Sequence, residues 1–364
     1  MFRRIFPSPR LAIYLAKTFF TRSLAVLAGL VLILMMLDLL GESGKILAQP
    51  GNGDAELWRY ASLRVPQLIA RFMPFSVLLG TLITLTTLNQ NSEIVSMKAA
   101  GISAHQIIAP LIAASFGIAV ASFAFNERIV TRATTQLNAW SSVNYGAIPP
   151  ETDIQTDVWV RQGDDLILAR QVRGSGADTR LLNVTFYQRD NGILNQVIEA
   201  KSATPQNGAW RLVDARIFDV ARAVTEDRPE MMAGAGISPD QFSLASVNPN
   251  QEDMAQLARS IEELKLSGRE TRSLEANFWH KLSGPLASVL MPLLAAVAAF
   301  GLARSGQVFV RAVIGMALGF IFFVADNFAL AMGNLGAYPP WLAAWGPFFL
   351  FLLIGETVLV RTEE

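Results

Sequence analysis

Two histidines, no cysteine, and a few charged side chains set inside otherwise apolar stretches are what this 364-residue chain offers for chemistry. Without thiols there is no disulfide, thiolate metal site or cysteine nucleophile. His105 and His280 are too few for a multi-histidine metal cage, and they support no Ser-His-Asp grouping. Neither a metal, a cofactor nor a catalytic residue is therefore expected. Gly41-Glu42-Ser43-Gly44-Lys45 resembles part of a phosphate-cradling loop, but Leu39 stands where its first glycine belongs and Ile46 where a Ser or Thr should follow the lysine. The acidic pairs Asp164-Asp165 and Glu262-Glu263 read as a solvated turn and the polar face of a helix.

The charged residues in apolar surroundings are more informative. Arg64 and Arg71 are seven apart, on one face of a helix, and Arg128 and Arg132 are four apart. Guanidinium forks of this kind suit an anionic headgroup held between helices, because two parallel N–H bonds form at once. The alternative is snorkelling to the surrounding bilayer. Asp38 and Asp326 lie in apolar runs, where each must face protein or water. A proton relay and a structural hydrogen bond both remain open for them. In the segment from Asn89 to Gly101, Ser92 can cap a short helix that Gly101 ends, with Glu93 and the apolar Ile94, Val95 and Met97 on it. Such a stub reads either as a solvated turn or as a peg for a partner's groove. Gly315 and Gly319 form a small-residue face for helix association.

Composition says which elements must carry these residues. Only 16% of the chain is charged and 52% is apolar, against about 25% charged in a soluble domain. Thirty basic residues balance thirty acidic ones, so there is no electrostatic footprint for nucleic acid. Stretches long enough to cross hydrocarbon as helix run from Thr18 to Leu40, Val65 to Leu88, Ser103 to Phe125, Leu282 to Ala303, Ala312 to Met332 and Trp341 to Leu359. The expected fold is a membrane α-helical protein of six transmembrane helices, three plus three, with an inserted periplasmic all-β jelly-roll or sandwich domain. Arg3, Arg4, Arg10 and Lys17 before the first span keep the N-terminus in the cytoplasm, and six crossings return the C-terminus there. The loop with Lys98 and the loop with Arg304 and Arg311 are then cytoplasmic.

The polar interval divides at about Asn248. Period-two patterns such as Asp157-Val158-Trp159-Val160 and Leu182-Asn183-Val184-Thr185-Phe186 alternate with the turn clusters Gly163-Asp164-Asp165, Asp190-Asn191-Gly192 and Gln206-Asn207-Gly208, which predicts strands from Glu151 to Val247. Met254, Leu257, Ile261 and Leu264 then mark one stripe of a helix capped by Asn248 and ending near Gly268. The predicted organisation is a membrane half over 1–125 with the stub at 89–101, the β-domain with its entry linker over 126–247, a connecting helix over 248–275, and a second membrane half over 276–364.

Taken in order, the segment Asn91-Ser92-Glu93-Ile94-Val95 running to Lys98-Ala99-Ala100-Gly101-Ile102-Ser103, the Phe72-Met73-Pro74 entry to the second span, Asn277-Phe278-Trp279-His280-Lys281-Leu282 with Pro285-Leu286-Ala287, and Arg304-Ser305-Gly306 resemble the permease family of the bacterial lipopolysaccharide export transporter, more its G than its F subunit. The resemblance covers essentially the whole chain. It implies that two such permeases pair over a dimer of cytoplasmic ATPase subunits. Glu93 would dock into the ATPase groove, with Ile94, Val95 and Met97 as apolar anchors. The β-domain would receive the extracted glycolipid and pass it to a periplasmic bridge protein of similar fold. Spans one and five would form gates toward the second permease, which gives the Gly315 to Gly319 face a use.

The resemblance also ranks Arg128 and Arg132 above Arg64 and Arg71 as headgroup contacts. One departure is that the family has basic residues after the aspartate matching Asp38, whereas Gly41 and Glu42 follow it here and Lys45 alone is basic. The rival readings are a proton-coupled carrier using Asp38 and Asp326, and a membrane scaffold whose β-domain only binds partners.

Overall fold

The computed structural model describes residues 8–146, 154–174, 176–190, 192–239, 242, 247–266, 269–301 and 308–363. Arg3, Arg4, Glu151, Asn191, Gly268 and the Arg304-Ser305-Gly306 segment lie outside the described residues, as does the side chain of Arg311. The chain divides into two compact units, one of Met1–Leu137 with Pro249–Glu364 and one of Asn138–Asn248.

Six helices of the first unit are long and apolar enough to cross a membrane. Span one is α1 (Pro9–Leu47), span two is α2 (Asp54–Gln90), and a short α3 (Glu93–Ala99) precedes span three. Span three is α4 (Ala104–Phe125), which continues through a π-turn (Asn126–Val130) into α5 (Thr131–Ser142). After the second unit come the connecting α6 (Met254–Leu266), span four α7 (Arg272–Ala296), span five α8 (Val308–Asn334) and span six α9 (Pro340–Glu363). Spans one to three run as helix well past their apolar segments. Phe72-Met73-Pro74 is thus in the middle of α2 rather than at its entry, and the Gly41 to Lys45 segment is helix, not a phosphate loop.

Within apolar surroundings every polar atom needs a partner from the protein itself. Thr81 and Thr84 in α2 donate to the carbonyls of Val77 and Gly80, each 2.7 Å away and four residues back. Arg22 of α1 donates through Nη1 to the Ile83 carbonyl of α2 at 2.9 Å, one position where the proline-bearing α2 is tied to its neighbour.

Close packing of the spans depends on glycine. A Cβ on Gly80 of α2 would lie 2.7 Å from the Cα and N of Ser23 in α1, a backbone approach that no other residue permits without displacement. The Gly315 to Gly319 face proves to be of the same kind. A Cβ on Gly315 would press on Leu82, and one on Gly319 on Leu78, so this face of span five turns onto span two of its own chain. The expectation that it serves a second permease is corrected. Small residues admit any close neighbour, and the neighbour here is internal.

The connecting helix carries the stripe the sequence predicts, with Leu257, Ile261 and Leu264 buried. Its cap is not Asn248. Asp253 accepts from the Gln256 N–H at 2.8 Å while the Gln256 side chain accepts from the Asp253 N–H at 3.2 Å, a reciprocal box set one residue before Met254.

The second unit contains six strands, β1 (Ile154–Gln162), β2 (Asp165–Arg173), β3 (Arg180–Asp190), β4 (Ile193–Gln206), β5 (Ala209–Asp219) and β6 (Val224–Ala233). Each pairs antiparallel with the next in sequence, so the described strands form one up-and-down sheet in which no Greek-key crossover occurs. The hairpins follow the turn residues. Asn207 and Gly208 both take positive φ, as a two-residue type I′ turn requires, and Gly163 does so between β1 and β2. Alternation buries Val158, Val160, Ile167, Ala169, Val184, Phe186 and Ile198 on one face, where Trp210 packs edge-on against Phe242 at 5.1 Å. Asp164 and Asp165 are not simply solvated. Asp164 accepts from the Gly192 N–H at 2.7 Å and Asp165 from the Arg189 N–H at 2.8 Å, which binds adjacent turns together.

Replacing Gly80 by Ala is expected to destabilise the helical unit by about 1–3 kcal/mol, the cost of overpacking. Gly29→Ala, on the neighbouring α1 and with open space around its Cβ position, should be near neutral. The comparison is read as thermal midpoints in detergent.

Candidate functional site: an exposed stub and a polar-walled cavity

The short helix α3 projects between spans two and three, and its two ends are defined by backbone geometry. Ser92 precedes it in the left-handed region at φ 58° and makes no side-chain cap bond. The side-chain capping expected of that serine is thus not made, whereas Ser103 at the start of the next helix, α4, exchanges hydrogen bonds with Gln106. Gly101, at φ 81°, closes α3, with the Ile102 N–H donating back to the Met97 carbonyl at 3.1 Å in a Schellman arrangement.

On this stub the expected apolar anchors do not share a face. Ile94 and Met97 are 4% and 9% exposed and belong to the core cluster of the helical unit, whereas Val95 is 60% exposed. Ile94 and Met97 therefore seat the stub on its own bundle, a correction that follows from helical geometry, since positions three apart point the same way and the one between them does not. Glu93 is half-buried and accepts from the Tyr14 hydroxyl at 3.1 Å. At the other end Lys98 Nζ stands 5.2 Å from the ring centre of Phe300, beyond the end of span four. Next to the stub, His105 Nε2 meets Glu356 of span six at 3.1 Å.

The second feature is a cavity of about 540 Å³ between spans two, three, four and five. Its wall is apolar where Phe75, Met291, Phe322 and Phe323 line it, and polar where Gln67, Arg71, His280, Lys281 and Asp326 do. Adjacent residues of α7 reach different helices. His280 Nε2 lies 3.0 Å from Asp326 Oδ2 of span five, and Lys281 donates to Glu127 at 3.2 Å. Glu127 sits in the π-turn, where one extra residue per turn re-aims the side chain, and also accepts from the first N–H of α6, that of Met254. The Lys281 and Glu127 side chains are only 9% and 15% exposed. Nearby, outside the spans, burial pushes the Glu252 carboxyl above the usual carboxylate range, against the opposing hydrogen bond from Ser260. Gln67 accepts from Arg64 through its carbonyl at 2.8 Å and leaves a buried amide nitrogen without a partner among the described residues.

A family model described as "Lipopolysaccharide export system permease LptF/LptG" matches residues 13–361 of this chain. The chain belongs to that permease family. Among curated proteins it is similar to the lipopolysaccharide export system permease protein LptG of Escherichia coli strain K12, at 27% identity over 359 residues, covering 96% of this chain and 97% of that protein. The same-named protein of E. coli O6:H1 strain CFT073 matches equally, and that of Haemophilus influenzae is 25% identical over 324 residues, 86% of this chain and 89% of its own length. Six apolar helices and this membership make the permease a multi-pass membrane protein.

In the permease the arginines predicted from spacing fall into three classes. Arg64 is engaged by Asp38, donating from Nε at 2.9 Å and Nη2 at 3.0 Å, and the Tyr60 hydroxyl donates to the same carboxylate at 2.6 Å. Arg71 lines the cavity and is exposed. Arg128 and Arg132 are exposed and are not among the cavity-lining residues, and Lys45 pairs with Glu42 one turn back at 2.8 Å. Asp38 and Asp326 have separate partners, Arg64 with Tyr60 and His280. Gln67, Glu127 and Lys281 were missed by the sequence reading. Their signal was a lysine at the head of a charge-poor span and a glutamate beside Arg128.

Replacing Lys281 by Met leaves the enclosed Glu127 carboxyl with a single N–H partner, and is expected to destabilise the permease by about 3–5 kcal/mol. Adding Glu127→Gln to that variant should recover most of the loss, as measured by thermal unfolding of the two variants in detergent.

Proposed function

We propose that the chain is the permease subunit of an ATP-driven assembly that extracts lipopolysaccharide, or a related anionic glycolipid, from the bacterial inner membrane. Its N- and C-termini face the cytoplasm and its strand unit faces the periplasm. Burial of acyl chains is worth about 0.8 kcal/mol per methylene, so removing such a lipid from a bilayer needs external energy. That energy comes from a cytoplasmic ATPase dimer, against which α3 is the coupling stub. The observation that carries the reading is the division of labour on α3, with Ile94 and Met97 turned into the bundle and Glu93 and Val95 left for a partner. Glu93 supplies a charge for a basic rim and Val95 an apolar contact.

The same reading gives the cavity to the cargo. An amphiphile with an anionic head finds donors in Arg71 and in the unpartnered amide of Gln67, and apolar contact on Phe75, Phe322 and Phe323. Arg128, Arg132 and Lys45, exposed on the same unit, serve as outlying headgroup contacts, while Arg64 acts through Asp38. A second permease of F type pairs along spans one and five. In support, only 11% and 17% of their most apolar stretches are buried inside this chain, against 67% for span four. The strand unit then passes the lipid to a periplasmic bridge protein.

Two measurements test this. Glu93→Ala should lower recovery of the ATPase with the purified permease by about tenfold, the scale of losing one member of a docked charge pair, while Asp326→Asn should leave it unchanged. Undiminished recovery from Glu93→Ala, or lipopolysaccharide transport that persists without ATP, would overturn the assignment. A photoreactive side chain at Phe75 should crosslink lipopolysaccharide in membranes of the whole assembly, with a yield several-fold lower in Arg71→Ala. Equal yields would remove Arg71 from the site.

A further inference from the structure

The glutamate on the stub is not held by the stub alone. Tyr14, near one end of span one, donates to both of its carboxylate oxygens, at 3.1 Å and 3.4 Å. Below them the stub's Ile94 and Met97 share a buried cluster with Leu15 and Phe19 of span one. The stub thus shares an apolar cluster with span one and is tied to it by Tyr14, although it is joined in the chain only to spans two and three.

Span one is suited to receive a displacement. It is a single helix of 39 residues, about 58 Å long. Only 11% of its most apolar stretch is enclosed by the chain, the least of the six spans. Its polar and close backbone ties to span two include the Ser23 contact with Gly80, the Arg22 bond to the Ile83 carbonyl, and the Asp38 pair with Arg64 and Tyr60. All lie on the far side of residue 14 from Tyr14's end of the helix. An element whose apolar stretch is enclosed on one side only moves at lower free-energy cost than one enclosed all round.

We propose that Tyr14 is a positioning residue that transmits movement of the docked glutamate to span one, so that the ATPase stroke reaches the helix facing the second permease. The proposal rests on the docking of Glu93 and adds the route by which force leaves it. An ammonium or guanidinium of the partner can engage Glu93 while Tyr14 still donates to it, because an ionised carboxylate accepts about four hydrogen bonds.

The test uses the complete assembly in proteoliposomes loaded with lipopolysaccharide, with release per ATP hydrolysed as the readout. Tyr14→Phe keeps the ring and removes only the donor. The ATPase should remain bound, and lipopolysaccharide released per ATP should fall by about tenfold, the scale of one hydrogen bond to a charged acceptor. Glu93→Gln leaves an acceptor for Tyr14, so Tyr14→Phe should still lower the ratio in that background; in a Glu93→Ala background, measured on whatever ATPase remains bound, it should change nothing. An unchanged ratio in Tyr14→Phe overturns the proposal, as does an equal effect of Tyr14→Phe in the Glu93→Ala background and in the unaltered permease. Loss of the ATPase from Tyr14→Phe also overturns it, since Tyr14 would then belong to the dock itself. Failure of the docking reading is seen separately, as full recovery of the ATPase with Glu93→Ala.

Discussion

An ionised group inside an apolar helix bundle must find its counter-charge on another helix, and much of this permease is arranged around that requirement. Asp38 joins Arg64 and Tyr60, fastening span one to span two. His280 and Lys281, neighbours on span four, reach in different directions, to Asp326 of span five and to Glu127 in the π-turn after span three. Span four is thereby the hub of the helical unit, which agrees with its being the most enclosed of the six. Each pair acts as a fixed point between helices far apart in sequence, where apolar packing alone would let them slide.

The same economy of partners shapes the cavity. Lys281 is paired with Glu127 and His280 is hydrogen-bonded to Asp326, and the donors left over among the described residues are Arg71 and the Gln67 amide. Those leftovers are what an anionic headgroup would meet. The aromatic side of the cavity, where Phe75 contacts Phe323 edge-on at 5.3 Å, offers surface without competing donors. A site of this form holds an amphiphile by its two ends and needs no reactive side chain.

On the stub, one turn of helix separates a buried face from an exposed one. Ile94 and Met97 point into the bundle and make the peg stiff, while Glu93 and Val95 remain outside. A peg that is rigid toward its own chain is what the proposed docking to an ATPase requires. The tie to Tyr14 links the stub to span one, whose most apolar stretch is the least enclosed of the six.

By itself the sequence determined the number and order of the spans, the inserted strand unit and its hairpin turns, and the family. These depend on local quantities, since a run of apolar residues, a period of two and an Asn-Gly pair each act within a few residues. Only the tertiary structure decided which face each special residue turns to. Gly315 and Gly319 turned inward onto Leu82 and Leu78, Ile94 and Met97 seated the stub, and Arg64 was taken by Asp38. The π-turn brought Glu127 to Lys281, 154 positions away in the chain. Partner choice of this kind is set by how helices rotate and cross when packed. A helical period leaves that rotation undetermined until every neighbour is in place.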